Sequence, residues 1–184
     1  HGVFDISYLK HMPNMTVMAP KDGKELEAMM ELAASLDGPC AIRYPRGEAA
    51  RMEADAPFEL GKAQRIAEGS DVDIWALGAM TEKALEASRI LKRAHIDAGV
   101  VNMAFVRPLD LELLKSSARK TPLLVTLEDN VITGGAGQEI DAALINEDVK
   151  IINIGWPDKF IEHGTCDQLY EKYGMDGASI AERI

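Results

Sequence analysis

Cysteine is nearly missing from this chain: Cys40 and Cys166 are the two in 184 residues. They are too few and too far apart for a metal framework or a disulfide scaffold. Both read as reduced, buried thiols of a cytosol-like compartment, so the expected localisation is cytoplasmic. A basic surplus is lacking as well. Against 30 acidic residues stand 20 lysines and arginines, a formal net charge of −10. That argues against nucleic acid or an anionic membrane as partner, since either needs a basic face. No apolar run reaches the roughly 18 residues of a membrane span, and no signal peptide is visible. Neither a nucleophile elbow nor a Ser-His-Asp arrangement is present. His11, His95 and His163 share no ligand spacing, and His95 falls at a helix C-terminus, where a structural role is the default. The chain opens at His1 without an initiator methionine, as expected of a portion of a longer protein.

What is present is a soluble globular composition, 47% apolar and 27% charged. The length suits one good-sized domain, or one domain plus part of another. After a mixed opening segment, Pro13-Asn14 reads as a turn and Thr16 to Ala19 as a short buried strand closed by Pro20. Asp22 can cap a helix, with Glu25 in the N3 place of a capping-box-like pair. Leu26, Met29, Met30 and Ala33 give that helix an apolar face, and the methionines read as core filling. Asp37-Gly38-Pro39 ends it, and Cys40 to Tyr44 is the next strand. Residues 48–60 are charged, aperiodic and contain Pro57, and read as a linker. From Gly61 strands and helices alternate. Strands are expected at 62–66, 71–78, 99–105, 123–127 and 149–154. Helices are expected from a Thr81 cap to Ala94, from an Asp110 cap to about Ala118, over 138–146, and from a Thr165 capping box to Tyr173. The pattern predicts an α/β fold with a mostly parallel sheet and helices on its faces.

Three features carry chemistry. In Tyr44-Pro45-Arg46-Gly47, Pro45 stops strand pairing and Gly47 permits backbone angles closed to other residues. Arg46 thus sits at a strand end, where open α/β sheets place ligand crevices, and its fork suits a phosphate or carboxylate. A surface arginine paired with some acid of this acidic chain is the alternative. Gly134-Gly135-Ala136-Gly137 lies between a strand and a helix, where backbone N–H groups can cradle phosphate. It lacks both the Gly-x-Gly-x-x-Gly register and a Walker lysine, and glycines serving a close turn explain it as well. Glu128 and Asp129 form a carboxylate pair suited to acid/base work or to hydrogen bonding at a strand end.

Several blocks occur in a specific order. They are Gly2-x-Phe4-Asp5-x-Ser7-Tyr8-Leu9, Met12-Pro13-Asn14-Met15, Pro20-Lys21-Asp22 and Arg43-Tyr44-Pro45-Arg46-Gly47. Later come Phe105-Val106-Arg107-Pro108-Leu109-Asp110, Glu128-Asp129-Asn130 leading to Gly134 to Gly137, and Asn153-Ile154-Gly155-Trp156-Pro157-Asp158. From end to end this resembles the 1-deoxy-D-xylulose-5-phosphate synthase family of transketolase-like thiamine-diphosphate enzymes. The first block separates that family from ordinary transketolases.

The resemblance implies a three-domain, homodimeric transferase of isoprenoid precursor synthesis. It condenses pyruvate with glyceraldehyde 3-phosphate and releases carbon dioxide. Residues 1–47 would end its pyrimidine-binding domain and 61–184 would be its transketolase-type C-terminal domain. The family's Gly-Asp-Gly…Asn motif for diphosphate and magnesium is absent, as is the glutamate that activates thiamine diphosphate. The family's catalytic histidine falls one residue before His1, so His1 receives no catalytic role. Arg46 alone carries over with a task, binding the phosphate of glyceraldehyde 3-phosphate. The chain by itself is expected to be inactive and to bind neither thiamine diphosphate nor Mg tightly. A non-catalytic assembly module and the C-terminal subunit of a split transketolase-like enzyme are the alternatives.

Overall fold

Val72 to Ala76 is buried at every position, the condition of a strand covered on both faces. Its side chains alternate between two cores. Val72, Ile74 and Ala76 enter one, Trp75 and Leu77 the other. The computed structural model describes residues 2–47 and 58–184, so most of the expected 48–60 linker lies outside the described residues.

In chain order the elements are α1 (Asp5–Leu9), β1 (Thr16–Met18), α2 (Gly23–Ser35), β2 (Cys40–Ile42), β3 (Gln64–Ala67), β4 (Val72–Ala76), α3 (Met80–Arg93) and β5 (Ala98–Asn102). They continue with β6 (Phe105–Arg107), α4 (Leu111–Lys120), β7 (Leu123–Val131), α5 (Ala136–Ala143), β8 (Lys150–Trp156), α6 (Cys166–Tyr173) and α7 (Gly177–Arg183). Five strands form one sheet in the order β3-β5-β4-β7-β8. It is parallel except for the antiparallel edge strand β3. The expected α/β fold with a mostly parallel sheet is what forms. On one face α3, α6 and α7 bring Ala84, Ala87, Leu91, Leu169 and Ile180; on the other, α4 and α5 bring Leu114, Ala118 and Ile140. Among the described residues no helix is long and apolar enough to cross a membrane.

A second, three-stranded sheet has the order β2-β1-β6. Here the sequence pattern misleads, because Gly99 to Phe105 reads as one strand. Ala104 takes φ 51°, a left-handed conformation that breaks strand pairing. The chain therefore leaves the large sheet after Asn102, and β6 pairs antiparallel with β1. Residues 2–47 have no separate core of their own. Val3 enters one core of the large sheet, Ile6, Val17 and Ala19 enter the other, and Met18 and Met29 pack with Phe105.

Other local expectations shift for identifiable reasons. Thr81 is not the cap of α3: Ala79 holds that place without a side-chain bond, and Thr81 is buried with Oγ1 on Asn102 Oδ1. Met30 is exposed while Met29 fills the core. The helix expected at 138–146 begins earlier, at Ala136. Cys166 is exposed and not a buried thiol, because the Thr165 capping box, which forms as expected, places it on the first turn of α6. Cys40 is half-buried, and both cysteines are free. Residues Asp5–Leu9 and Gly177–Arg183, left without an element by the sequence pattern, are the short helices α1 and α7.

Candidate functional site

Three strands point their carboxyl ends at one place. After β1 comes Pro20-Lys21-Asp22, after β2 Tyr44-Pro45-Arg46-Gly47, and after β4 the turn to Ala79 and Glu82 of α3. These residues, with Leu26, line a cleft of about 320 Å³. A crevice off strand carboxyl ends is the usual ligand position in open α/β sheets. Gly78 makes the close approach possible. Its φ is 58°, and an added Cβ would lie 3.0 Å from Ala19 Cβ and 3.3 Å from the Pro20 carbonyl. Any side chain there would push apart the loops on either side of the cleft.

Arg46 lies in this cleft, exposed, and no carboxylate pairs with it among the described residues. An unpaired guanidinium in a concave site is available to an anion. The wall behind it is a buried polar network. Asp22 caps α2 by accepting from Glu25 N–H at 2.9 Å. Glu25 does not close the expected box onto Asp22 but accepts the Lys21 N–H at 2.6 Å through Oε2, one residue earlier. Its Oε1 accepts from Asn102 Nδ2 at 2.7 Å, so the β1–α2 loop is fastened to β5 of the large sheet. Burial pushes the Glu25 carboxyl above its ordinary pKa, against the bond and charge of Lys21.

The glycine loop and the carboxylate pair turn out to be one structure. Glu128 is buried, and its two oxygens accept the N–H groups of Ala136 at 2.8 Å and Gly137 at 2.9 Å. The donors that could have cradled a phosphate hold the protein's own carboxylate instead. Gly135 is needed for it, since a Cβ there would sit 2.4 Å from Glu128 Oε1. Asp129 is structural too: Oδ2 pairs with Arg43 Nη1 at 2.7 Å and Oδ1 accepts from Trp156 Nε1 at 2.7 Å. Neither acid stands in the cleft of Arg46.

Burial pushes the Glu128 carboxyl up to about 7, outweighing the two backbone N–H bonds that favour its anion. The folded protein thus holds a proton that the unfolded chain releases near pH 4.5. This contribution to stability is full below the unfolded value and is lost as pH rises through the folded one, by at most about 3 kcal/mol. Glu128→Gln cannot titrate. Urea unfolding from about pH 4.5 to about pH 7 should show the wild type losing stability more steeply than the variant. Parallel slopes would mean that Glu128 stays ionised throughout.

A larger, more open depression of about 740 Å³, lined by His11, Met15, Arg107, Leu109 and Glu139 among others, shares no lining residue with the Arg46 cleft. Two of its polar groups are engaged within the chain, Glu139 with Lys10 at 2.9 Å and His11 Nδ1 with the Ser7 carbonyl. His95, with φ 62°, ends the turn after α3. His1 lies outside the described residues. The polar network behind Arg46 was missed because Glu25 and Asn102 are 77 residues apart; the readable signal was an acid three places after an N-cap.

Residues 61–180 match the family described as transketolase, C-terminal domain, and residues 1–51 match transketolase, pyrimidine binding domain. A 1-deoxy-D-xylulose-5-phosphate synthase of Caldanaerobacter subterraneus is 46% identical over 187 residues, covering 100% of this chain and 30% of that protein. The synthase of Clostridium tetani is 42% identical with the same coverage, 100% and 30%. The chain therefore spans about 30% of the length of these curated relatives. Among solved structures, a split gene transketolase described as an inactive beta4 tetramer superposes with a TM-score of 0.92 at 37% identity, covering 98% of this chain and 60% of that one. A transketolase of Pichia stipitis, at 19% identity and a TM-score of 0.76 over 96% of this chain and 25% of that one, shares the fold.

Proposed function

This chain belongs to the 1-deoxy-D-xylulose-5-phosphate synthase family of transketolase-like proteins, and we propose that it is the C-terminal portion of such a synthase. The whole enzyme is a thiamine-diphosphate-dependent transferase that condenses pyruvate with glyceraldehyde 3-phosphate and releases carbon dioxide. Residues 1–47 close its pyrimidine-binding domain, 48–60 are the linker and 61–184 are the C-terminal domain. It works as a cytoplasmic homodimer. The role of this portion is to hold the phosphate of glyceraldehyde 3-phosphate with Arg46. The observation that carries this is a guanidinium, unpaired among the described residues, in a cleft at the carboxyl ends of β1, β2 and β4.

The described residues offer no site that fits the cofactor's diphosphate and metal. Among the described residues no group of three or more His, Cys, Asp or Glu could hold a metal ion. The N–H groups of the glycine loop at the start of α5 are taken by Glu128. On this reading thiamine diphosphate and Mg are held by the rest of the enzyme, and this portion by itself is expected to make no product.

The similarity to a split gene transketolase favours one second reading, a C-terminal subunit that works with a separately made partner. Purifying the complete gene product and assaying two reactions separates them. Formation of deoxyxylulose phosphate from pyruvate and glyceraldehyde 3-phosphate by a single polypeptide is the expected result. Ketol transfer between sugar phosphates, appearing only after a second polypeptide is added, would establish the split enzyme.

A further inference from the structure

Arg46 shares its cleft with a second cation. Lys21 lines it from the β1–α2 loop, with a side chain only 4% exposed. An ammonium carries three N–H donors, and the partner found for this one among the described residues is Asp22 Oδ2 at 2.5 Å. A buried charge with one hydrogen bond has given up more hydration than that bond restores. The other oxygen of Asp22 caps α2 by accepting from Glu25 N–H. The position of Lys21 is fixed as well, since its own N–H donates to Glu25, which is tied to Asn102 of β5. Lys21 thus lines a cleft that also holds a guanidinium, with a buried ammonium whose one assigned partner among the described residues is Asp22.

Charge in the cleft leads to the same place. Its lining carries Lys21 and Arg46 against Asp22 and Glu82. Arg46 facing a dianion by itself would leave one ligand charge unmatched, and Lys21 is the other cation that lines the cleft. We propose that Lys21 is a second phosphate-binding residue of this cleft, its ammonium shared between Asp22 and a phosphate oxygen while Arg46 takes the others. The inference rests on the reading of the cleft as a phosphate site.

The test uses the full-length enzyme and three variants. In Lys21→Met/Asp22→Asn both charges of the buried pair are removed, so no lone buried charge remains, and asparagine still caps the helix. Asp22→Asn removes the competing carboxylate. Arg46→Ala reports on the cleft itself. KM and kcat are measured for glyceraldehyde 3-phosphate and for unphosphorylated glyceraldehyde, with inorganic phosphate as a competing inhibitor and thermal unfolding as a check on folding. The double variant should raise KM for the phosphorylated aldehyde roughly 10- to 100-fold. Phosphate inhibition should weaken by a similar factor, with less than about a 3-fold change for glyceraldehyde. Asp22→Asn should bind inorganic phosphate several-fold more tightly, an effect that a purely structural lysine would not produce once the double variant cancels it. If the double variant damages both aldehydes equally while Arg46→Ala discriminates between them, Lys21 is structural and the cleft reading stands. Should Arg46→Ala not discriminate, the cleft reading falls and this inference falls with it. If the double variant does not fold, Asp22→Asn decides: unchanged or weaker phosphate binding overturns the proposal.

Discussion

On the proposed reading of the cleft as a phosphate site, replacing Arg46 by alanine in the full-length enzyme is expected to reduce kcat/KM for glyceraldehyde 3-phosphate roughly 30- to several thousand-fold. The range follows from truncating one partner of a charge-assisted, bidentate contact, which costs about 2–5 kcal/mol. The site gives no reason to expect a folding defect. Arg46 is exposed and makes no ion pair among the described residues, and none of the described residues lies within 4 Å of where a Cβ on Gly47 would sit. Phosphate is remote from the reacting aldehyde, so its binding energy serves to orient that carbonyl, and both kcat and KM should suffer. Unphosphorylated glyceraldehyde lacks the group and should lose little. In the proposed mechanism pyruvate makes no use of this site, so formation of its first adduct should change little. Lysine should rescue only in part, keeping the charge but not the planar fork. Equal losses for both aldehydes would make Arg46 a structural residue.

A loss of stability of about 3–5 kcal/mol is expected for Arg65→Met, measured by denaturant unfolding. Asp73 is completely buried in the central strand β4. Arg65 of the edge strand β3 binds both its oxygens, Nη1 to Oδ1 at 2.8 Å and Nη2 to Oδ2 at 2.8 Å. The same Nη2 donates to Ser117 Oγ of α4 at 2.9 Å, and that oxygen accepts from Trp75 Nε1 at 3.3 Å. Hydrogen bonding to Asp73 raises the Arg65 pKa, so the cation is secure at any pH at which the protein is studied. Methionine keeps much of the volume and strands the carboxylate. Removing both charges with Arg65→Met and Asp73→Leu should recover most of the loss, because a buried pair is worth little against apolar packing of similar size. Gly99 lies against this site, where a Cβ would meet Asp73 Oδ1 at 2.1 Å; β5 can pass there only as glycine. If the single Arg65 variant is as stable as the wild type, the buried pair does not hold β3 to β4 and this account of it is wrong.

The sequence by itself determined the alternation that makes a parallel sheet, because a strand buried on both faces shows as an apolar run and a helix as a 3.6-residue period. Leu123 to Leu127 and the Thr165 capping box are of this local kind: each depends on residues within a turn or a strand. The strand end that carries Arg46 was legible for the same reason, since Pro45 and Gly47 mark it. The tertiary structure decided what the remaining polar groups do. Nothing between Glu128 and Gly137 says whether the loop will accept a phosphate or the protein's own carboxylate, until β7 and α5 bring them to 2.9 Å. A left-handed Ala104 sends β6 to a sheet begun nearly ninety residues earlier, pairing Phe105 with Met18. The bond from Asn102 to Glu25 spans 77 residues and fixes the loop that carries Lys21. Contacts of that separation depend on which elements pack together, and a local pattern of side chains does not encode their partners.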